Sequence, residues 1–263
     1  MADAPSIDAQ LCVMEARSVV KRFGGVTAVD GVSFKVRQGE ILGLIGPNGA
    51  GKTTMFDLLA GTVTPTSGDI VLNGVDVARQ LAHRRIGSGL GRTFQIARPF
   101  PEMTVLENVM VAGQQQAGEA LLQTLLYPAK VRLQEEALRQ KANEFINLLL
   151  LDKLRDQKAR VLSGGQRKLL ELARVMMADP KIVLLDEPAA GVNPTLLETI
   201  IDRIREINSR GVTFVLIEHN IDMVSRLCDR VLVMASGRIL AEGRPEEVSR
   251  DPKVIEAYLG GAA

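Results

Sequence analysis

Three short apolar runs stand out along the chain because no polar residue alternates within them. They are Ile41–Ile45, Ile182–Leu185 and Thr213–Ile217, and each is followed directly by a glycine or a charged residue. Continuous runs of this length are typical of strands buried on both faces, as in a parallel sheet covered by helices. A helical pattern follows each run, so the sequence predicts an α/β core.

A different pattern indicates antiparallel strands. Val32–Val36 alternates apolar and polar residues, and the short run Ile70–Leu72 is followed by the turn pair Asn73–Gly74. Near the C-terminus, the apolar run Val231–Met234 is followed by a second turn pair, Ser236–Gly237. Both turn pairs favour hairpins. The sequence therefore predicts an antiparallel β part and a C-terminal hairpin beside the parallel core.

Residues 104–151 follow the helical period instead. Apolar side chains with charged residues between them recur there at helix spacing, at Leu138, Ala142, Phe145, Ile146 and Leu149. We expect a helical insertion between about residues 95 and 160. The whole chain, 1–263, is then one domain, with its core in 12–94 and 161–245, a helical subdomain in 95–160 and a tail helix in 246–263.

Composition limits the partners and the compartment. The chain has 263 residues, 46% of them hydrophobic, and a net charge of +1, which gives no electrostatic basis for binding nucleic acid. Its two cysteines, Cys12 and Cys228, lack metal-ligand spacing. We expect both to be small buried hydrophobic residues in a reducing compartment.

The sequence contains no membrane-spanning pattern. No apolar stretch approaches the ~20 residues that a transmembrane helix needs. The N-terminus, Met-Ala-Asp-Ala-Pro-Ser, lacks the basic and apolar regions of a secretory signal. We expect a cytoplasmic protein, which leaves docking onto a membrane partner open.

Gly46–Thr53 matches the phosphate-loop pattern G-x-x-x-x-G-K-[ST]. Its glycines let successive backbone N–H groups face inward around phosphate oxygens, and the following helix adds its positive end. Lys52 reaches the β- and γ-phosphates, and the Thr53 hydroxyl ligates Mg²⁺. The loop follows the strand Ile41–Ile45 and opens the helical run Thr54–Ala60, so the sequence predicts a nucleoside triphosphate site.

Two carboxylates end the second buried run, and a histidine follows the third. Asp186 can hold Mg²⁺, directly or through water, and Glu187 can polarise an attacking water. This arrangement favours hydrolysis over binding alone. His219 would face the same crevice and contact the γ-phosphate. A helix cap or an ordinary surface residue is an equally good interpretation of His219 alone.

Leu162–Gln166, which reads Leu-Ser-Gly-Gly-Gln, precedes a strong helical run. Ser163 and Gln166 fit an S-x-x-Q capping box, which by itself indicates only a helix start. Gly164 and Gly165, however, leave N–H groups bare at the first helical turn, where an anion can approach. A single triphosphate needs only one phosphate-binding loop, so this second anion-binding surface would serve a different nucleotide.

Taken in order, these motifs resemble an ATP-binding-cassette (ABC) ATPase, a P-loop NTPase, over about residues 12–260. The resemblance implies a mostly parallel core sheet flanked by helices, an antiparallel β part and a helical insertion. It also brings in two residues that the chemistry above does not identify. Phe23 would stack on adenine, and Gln95 would touch Mg²⁺ or the attacking water and sense a transport partner.

The resemblance assigns the remaining roles residue by residue. The catalytic set would be Glu187 as general base, His219 at the γ-phosphate, Gln95 and Lys52. The Mg²⁺ ligands would be Thr53, Gln95 and Asp186. ATP would be bound by Phe23, Asn48, Gly49, Ala50, Gly51, Lys52, Thr53 and Thr54.

The signature residues Ser163, Gly164, Gly165 and Gln166 would cover the γ-phosphate held by another subunit. Two ATPase subunits would then sandwich two nucleotides head to tail, with the partner being either a second copy or a paralogue. Asn193 departs from the family pattern, since many members have an aspartate there, and this puts communication between the two sites in question.

Within the family, the chain is most similar to LivG-type ATPases of branched-chain amino acid importers. The similarity lies in Arg92–Gln95, Arg98–Phe100, Met103–Val109, the helical insertion near 113–143, the stretch Glu187–Pro194 and the ending Asp251–Gly260. ATPases of urea and amide importers look alike and stay as alternatives. The resemblance implies membrane permease subunits, an indirect periplasmic solute-binding protein, and a location on the cytoplasmic face of the inner membrane.

A docking surface for the permease is expected around residues 95–112. Phe100, Met103, Val105 and Leu106 would form an apolar groove there. For Val105 and Leu106, packing into the core of the helical part is an equally good interpretation.

Two other classes remain as alternatives. A soluble ABC ATPase acting on DNA or the ribosome usually carries two cassettes, a long coiled-coil insertion or zinc-binding cysteines, and this sequence has none of them. The near-zero net charge also argues against nucleic acid. A regulatory module without turnover is disfavoured because Lys52, Asp186, Glu187 and His219 are all present.

Overall fold

The structure is a computed structural model that describes residues 11–93, 97–114 and 128–259. The chain forms two compact units, which are described separately. The first comprises residues 1–92, 181–187 and 204–263, and the second comprises residues 93–180 and 188–203.

The strands and helices follow one another in the order β1 (Cys12–Phe23), β2 (Val26–Arg37), β3 (Ile41–Ile45), α1 (Lys52–Ala60), β4 (Ser67–Leu72), β5 (Val75–Asp76), α2 (Ala82–Gly87), β6 (Leu90–Arg92), α3 (Val105–Met110), α4 (Pro128–Leu148), α5 (Gly164–Met176), β7 (Ile182–Asp186), α6 (Pro194–Ser209), β8 (Thr213–Ile217), α7 (Ile221–Leu227), β9 (Arg230–Ala235), β10 (Arg238–Gly243), α8 (Pro245–Val248) and α9 (Pro252–Leu259). None of the helices within the described ranges is long and apolar enough to cross a membrane.

The core sheet has the strand order β10-β9-β3-β8-β7-β6. Its strands pair in parallel, apart from β10, which runs antiparallel to β9. The three continuous apolar runs form β3, β7 and β8, and every residue of these strands is buried. The prediction of a mostly parallel core is confirmed. Because the strands are parallel, the residues after β3, β7 and β8 come together at one edge of the sheet.

An antiparallel sheet with the order β2-β1-β4-β5 completes the strands of the first unit. The predicted hairpin at Asn73–Gly74 joins β4 to β5, and Val71 pairs with Asp76 across it. The alternating run Val32–Val36 lies in β2, where Val32, Phe34 and Val36 are buried. The predicted C-terminal hairpin is also present, as β9 and β10.

The second unit is helical. Helix α4 covers most of the predicted apolar pattern, with Ala142 and Ile146 fully buried, and Leu149 is buried just beyond its end. The predicted boundaries of the helical subdomain, 95–160, stay a prediction. Residues 161–180, which include α5, belong to the same compact unit as α3 and α4.

The prediction that both cysteines are buried is wrong for one of them. Cys12 is exposed at the first residue of β1, whereas Cys228 is buried, and both are free thiols. Burial raises the pKa of the Cys228 thiol. Cys228 therefore acts as a small core residue of the first unit.

Candidate functional site

The phosphate-loop motif forms a tight turn between β3 and α1, and two of its glycines have no possible substitute. Gly46 has φ 145°, and a Cβ atom there would lie 2.1 Å from the Met234 carbonyl oxygen. Gly51 has φ 95°, and its Cβ would lie 2.3 Å from the Ala28 carbonyl oxygen. A side chain at either position would force the backbone to move.

Lys52 begins helix α1 and points its ammonium group into the loop. Its Nζ donates to the carbonyl oxygens of Gly46 and Pro47, both at 2.8 Å. The residue is only 6% exposed. Burial lowers the pKa of Lys52, and the nearby charge of Glu187 partly opposes that shift. The cation is thus held where the motif predicts phosphate oxygens to bind.

The rest of the loop is arranged to accept a ligand. Asn48, Gly49 and Thr53 are exposed, while Ala50 is buried. Thr53 lies in the first turn of α1, where helical N–H groups have no partner within the helix. These are the conditions under which a loop and a helix end bind an anion.

The two carboxylates end β7 as the sequence predicts. Asp186 is its last residue and is 8% exposed. Burial raises the pKa of Asp186, and the positive charge of Arg92 opposes this rise. Glu187 follows with a left-handed backbone, φ 48°, and its N–H donates to the Ile217 carbonyl at 3.0 Å. This hydrogen bond ties the end of β7 to the end of β8.

His219 lies directly beside Glu187. Its Nε2 is 3.2 Å from Glu187 Oε1, and the His219 side chain is 45% exposed. It does not cap the following helix, because Asn220 performs that role by accepting a hydrogen bond from the Met223 N–H. The contact with Glu187 favours the site interpretation of His219 over the helix-cap one.

Phe23 is an exposed aromatic residue at the end of β1, in the first unit. Half of its surface is accessible, at 50%. The Lys21 ammonium lies 4.9 Å from its ring centroid. An exposed aromatic ring can stack on a planar base. The side chain of Phe23 therefore suits the expected adenine contact, which stays a prediction.

The signature segment starts α5 in the second unit. Ser163 is the N-cap, its hydroxyl accepts from the Gln166 N–H at 3.3 Å, and Gln166 Oε1 accepts from the Ser163 N–H at 2.9 Å. The predicted capping box is therefore present. Gly164 is exposed, whereas a Cβ on Gly165 would lie 2.1 Å from Leu196 Cδ2. Gly165 is thus required by packing, and Gly164 is the glycine that keeps the helix start open.

The expected docking groove is only partly present. Val105 and Leu106 are buried, at 0% and 8% exposure. The prediction that they line a groove is therefore wrong, because they pack in the hydrophobic interior of the second unit. Phe100 and Met103 are exposed, at 46% and 36%. Arg174 lies 5.5 Å from the Phe100 ring centroid.

Gln95 lies outside the described residues, so its proposed role stays a prediction. Of the proposed Mg²⁺ ligands, Thr53 and Asp186 are described, and a hydroxyl and a carboxylate are the hard oxygen donors that Mg²⁺ accepts. Within the described ranges, no group of three or more His, Cys, Asp and Glu side chains could hold a metal. This donor set fits an ion that phosphate oxygens and water also ligate.

Three further residues, Glu218, Arg92 and Tyr258, contact the site elements and were not predicted to do so. Glu218 Oε2 accepts from the N–H groups of His219 at 3.0 Å and Asn220 at 3.1 Å, which fixes the turn that carries His219. Asn193 Oδ1 accepts from the Leu196 N–H at 2.9 Å, so this departure from the family pattern caps a helix. The other two, Arg92 and Tyr258, link segments far apart in sequence.

Tyr258 connects the tail helix α9 to the phosphate loop. Burial raises the pKa of the Tyr258 hydroxyl, and a hydrogen bond from the Gly46 backbone opposes that rise. Ile45 and Tyr258 line the same cavity of about 450 Å³ in the first unit. No periodicity or motif in the sequence could reveal this contact, because it depends on how the tail folds back.

A phosphate loop, a strand-end carboxylate pair with its histidine, and a separate Ser-Gly-Gly-Gln helix start define an ATP-binding cassette. The comparison with known families agrees: the ABC transporter family matches residues 29–190. The chain belongs to this family. A second family, described as branched-chain amino acid ATP-binding cassette transporter, matches residues 238–263.

Individual relatives match over nearly their whole length. A probable branched-chain amino acid transport ATP-binding protein LivG of Methanocaldococcus jannaschii is 40% identical, covering 94% of this chain and 97% of its own. A high-affinity LivG protein of Salmonella typhimurium is 42% identical, covering 95% and 98%. A solved ADP conformation of an ATP-binding cassette of an ABC transporter is 38% identical with a TM-score of 0.83, covering 95% and 99%.

Proposed function

We propose that this cassette hydrolyses ATP to drive the import of branched-chain amino acids. The observation that carries hydrolysis is the 3.2 Å contact between Glu187 and His219, formed one residue after Asp186 and at the sheet edge that also bears the phosphate loop. The amino acid class is supported by the match of residues 238–263 and by the LivG relatives.

The side chains divide the work by their chemistry. Lys52 and the loop N–H groups hold the phosphates, and the low exposure of Lys52 strengthens its attraction for them. Glu187 accepts a proton from the attacking water, and His219 keeps the carboxylate oriented and contacts the γ-phosphate. Thr53, Asp186 and Gln95 would hold Mg²⁺, which would supply positive charge to neutralise the phosphates. Phe23 stacks on the adenine.

A second cassette completes each site. The exposed start of α5, with Ser163 and Gly164, offers N–H groups and a hydroxyl to an anion. We assign this surface to the γ-phosphate bound by a partner cassette, which is a second copy or a paralogue. ATP then bridges two subunits and closes the pair, and hydrolysis opens it.

The cassette docks on the cytoplasmic side of a membrane permease through the exposed part of residues 97–104. Phe100 and Met103 are the apolar side chains that this surface offers. The permease receives solute from a periplasmic binding protein, so the cassette itself does not contact that protein or the solute.

Charge substitutions on this surface test the proposal. Phe100→Asp is expected to abolish co-purification of the permease with the cassette and to stop transport, while ATPase activity of the isolated cassette persists. Leu133→Asp is the matched control, because Leu133 is an exposed apolar residue of α4, at 74%. If Phe100→Asp transports like the unmodified protein, the docking surface lies elsewhere.

Two alternatives have specific tests. A related importer for urea or amides would use the same site, and uptake measurements distinguish the solutes. A soluble ABC ATPase acting on nucleic acid or the ribosome would show ATPase activity stimulated by DNA or ribosomes. The net charge of +1 does not favour the latter.

A further inference from the structure

The end of the edge strand β6 carries an arginine that joins two parts of the nucleotide site. Arg92 NH1 is 2.7 Å from Asp57 Oδ1, and Arg92 NH2 is 3.5 Å from Asp186 Oδ2. The Arg92 side chain is 13% exposed, the Asp57 side chain 30% and the Asp186 side chain 9%. One guanidinium group therefore contacts carboxylates of a helix and of a strand.

Each end of this bridge belongs to an element with a role in the site. Asp57 lies on α1, the helix that begins at Lys52. Asp186 is the last residue of β7, which pairs in parallel with β6 so that Arg92 is opposite Leu184. Arg92 thus ties the helix of the phosphate loop to the strand that bears the proposed metal ligand.

The helix side of the bridge is itself well anchored. Asp57 Oδ1 also accepts from the Thr62 hydroxyl at 3.0 Å, and Arg92 NH1 is 3.3 Å from Thr62 Oγ1. The Asp57 carbonyl accepts from the Thr62 N–H at 3.0 Å, which closes the end of α1. Arg92 is therefore held by a hydrogen-bonded cluster, and a planar guanidinium group in fixed surroundings orients its partner carboxylate.

Arg92 also lies close in sequence to another residue of the proposed site. It stands three residues before Gln95, the residue that the family resemblance assigns to sensing the transport partner. Arg92 belongs to the run Arg92–Gln95, which resembles the LivG-type branch of the family. None of the roles assigned so far involves Arg92.

We propose that Arg92 is a positioning residue that holds the Asp186 carboxylate in place relative to helix α1. This inference rests on the proposed function, because Asp186 is taken there as a ligand of the nucleotide-bound metal ion. A simpler role for a cation between two carboxylates is to offset their charge.

The two roles predict opposite effects on metal binding. If Arg92 only offset charge, then removing a positive group near Asp186 would strengthen the binding of a divalent cation, because like charges repel. If Arg92 positions Asp186, then removing it costs the cation a preorganised ligand, and binding weakens. Secondary contacts of this kind change metal affinity by about 10- to 100-fold.

The probe is Mn²⁺ in the presence of saturating ADP, with the free ion measured by electron paramagnetic resonance on the full chain. Arg92→Gln is expected to raise the Mn²⁺ dissociation constant about tenfold. Asp57→Asn leaves the charge of Arg92 in place but weakens the contact that holds Arg92 to α1. It is therefore expected to raise the Mn²⁺ dissociation constant by a smaller factor. Arg79→Gln, at an exposed position of the same unit, is the control and is expected to have no effect.

Two results would overturn the proposal. Arg92→Gln binding Mn²⁺ as tightly as the unmodified chain, or more tightly, overturns the positioning role. Asp57→Asn behaving like the unmodified chain overturns the link to α1. If Arg92→Gln fails to fold by circular dichroism, then Arg92→Lys, which keeps the charge but not the fork of donors, and Asp57→Asn still carry the test. An unmodified chain that binds no Mn²⁺ with ADP would instead contradict the proposed function.

Discussion

The backbone and side chain of Glu187, the proposed general base, are both held in place by neighbouring residues. Its φ of 48° is uncommon for a residue with a side chain. Such backbone conformations cost roughly 1–3 kcal/mol, and the surrounding structure must hold them in place. Here the Glu187 N–H is bound by the Ile217 carbonyl, and its carboxylate contacts His219. A proposed general base must meet water from one direction, and both contacts fix that direction.

The first prediction concerns this carboxylate. Glu187→Gln keeps the size of the side chain but removes the proton acceptor, so turnover is expected to fall by about 100-fold or more. ATP binding should persist, and the variant should accumulate as a closed, ATP-bound dimer. Phosphate release and nucleotide binding are measured on the same preparation, with Glu256→Gln on the exposed tail as control. Turnover like that of the unmodified protein would remove Glu187 from its role.

Asn108 holds in place, from the interior, the exposed segment 97–104 that we propose for docking. It is fully buried, its Oδ1 accepts from the Phe100 N–H at 2.8 Å, and its Nδ2 donates to the carbonyls of Phe100, Met103 and Thr104 at 3.0, 3.2 and 2.9 Å. One amide therefore satisfies the backbone of the loop that carries Phe100 and Met103.

The second prediction follows from these hydrogen bonds. Asn108→Leu leaves buried backbone groups without partners, which is expected to cost about 2 kcal/mol or more of unfolding free energy. Urea denaturation measures the loss, and Asn147→Leu, at an exposed position of α4, is the control. Equal stability of the two variants would show that the loop does not depend on Asn108. Permease co-purification is expected to fall in Asn108→Leu alone.

At the scale of elements, hydrophobic patterning predicts most of the architecture. Runs without polar residues identify β3, β7 and β8, since strands buried on both faces need no alternation. Strand β6 was not predicted, because its three residues, Leu90–Arg92, are too few to show a period. The full length of β1 was also missed, since register shifts interrupt its pairing with β2 and break the alternation.

Motifs predict a site only where its residues are adjacent in sequence or follow a known pattern. The phosphate loop and the Asp186–Glu187 pair meet that condition. Arg92 and Tyr258 do not, because their partners, Asp186 and Gly46, come close only after folding. Sequence motifs cannot predict such contacts, since they arise from tertiary packing rather than from local conformational preference.

The tail helix α9 gives the third prediction. Tyr258→Phe removes only the hydroxyl that accepts from the Gly46 N–H, so the loop start loses one restraint. The dissociation constant for ADP, measured by calorimetry, is expected to rise about two- to tenfold, as for the loss of one hydrogen bond. Leu259→Ala, at 73% exposure, is the control. Unchanged ADP affinity in Tyr258→Phe would mean that the tail does not restrain the loop.

At the scale of the whole molecule, one chain carries the two surfaces that we propose for phosphate. The loop from Gly46 to Thr53 lies in the first unit, and the open helix start at Ser163–Gly164 lies in the second. In a symmetric pair, each surface of one chain can face the other surface of its partner, so that two equivalent sites form.

The fourth prediction tests that arrangement with purified protein. Lys52→Ala and Ser163→Arg are each expected to be inactive, because each damages one half of both sites. Mixing them in equal amounts forms pairs with one intact site, so about a quarter of the original ATPase activity should return. No recovery on mixing would contradict a site shared between two copies of this chain.

The central claim is that ATP hydrolysis by this chain drives the import of branched-chain amino acids. The most direct measurement is uptake of labelled leucine and of labelled urea in cells with and without the protein, and in cells carrying Glu187→Gln. The account predicts that leucine uptake is lost without the protein, returns with the unmodified chain but not with Glu187→Gln, and that urea uptake is unchanged. Leucine uptake that persists without the protein, or a loss confined to urea, would contradict it.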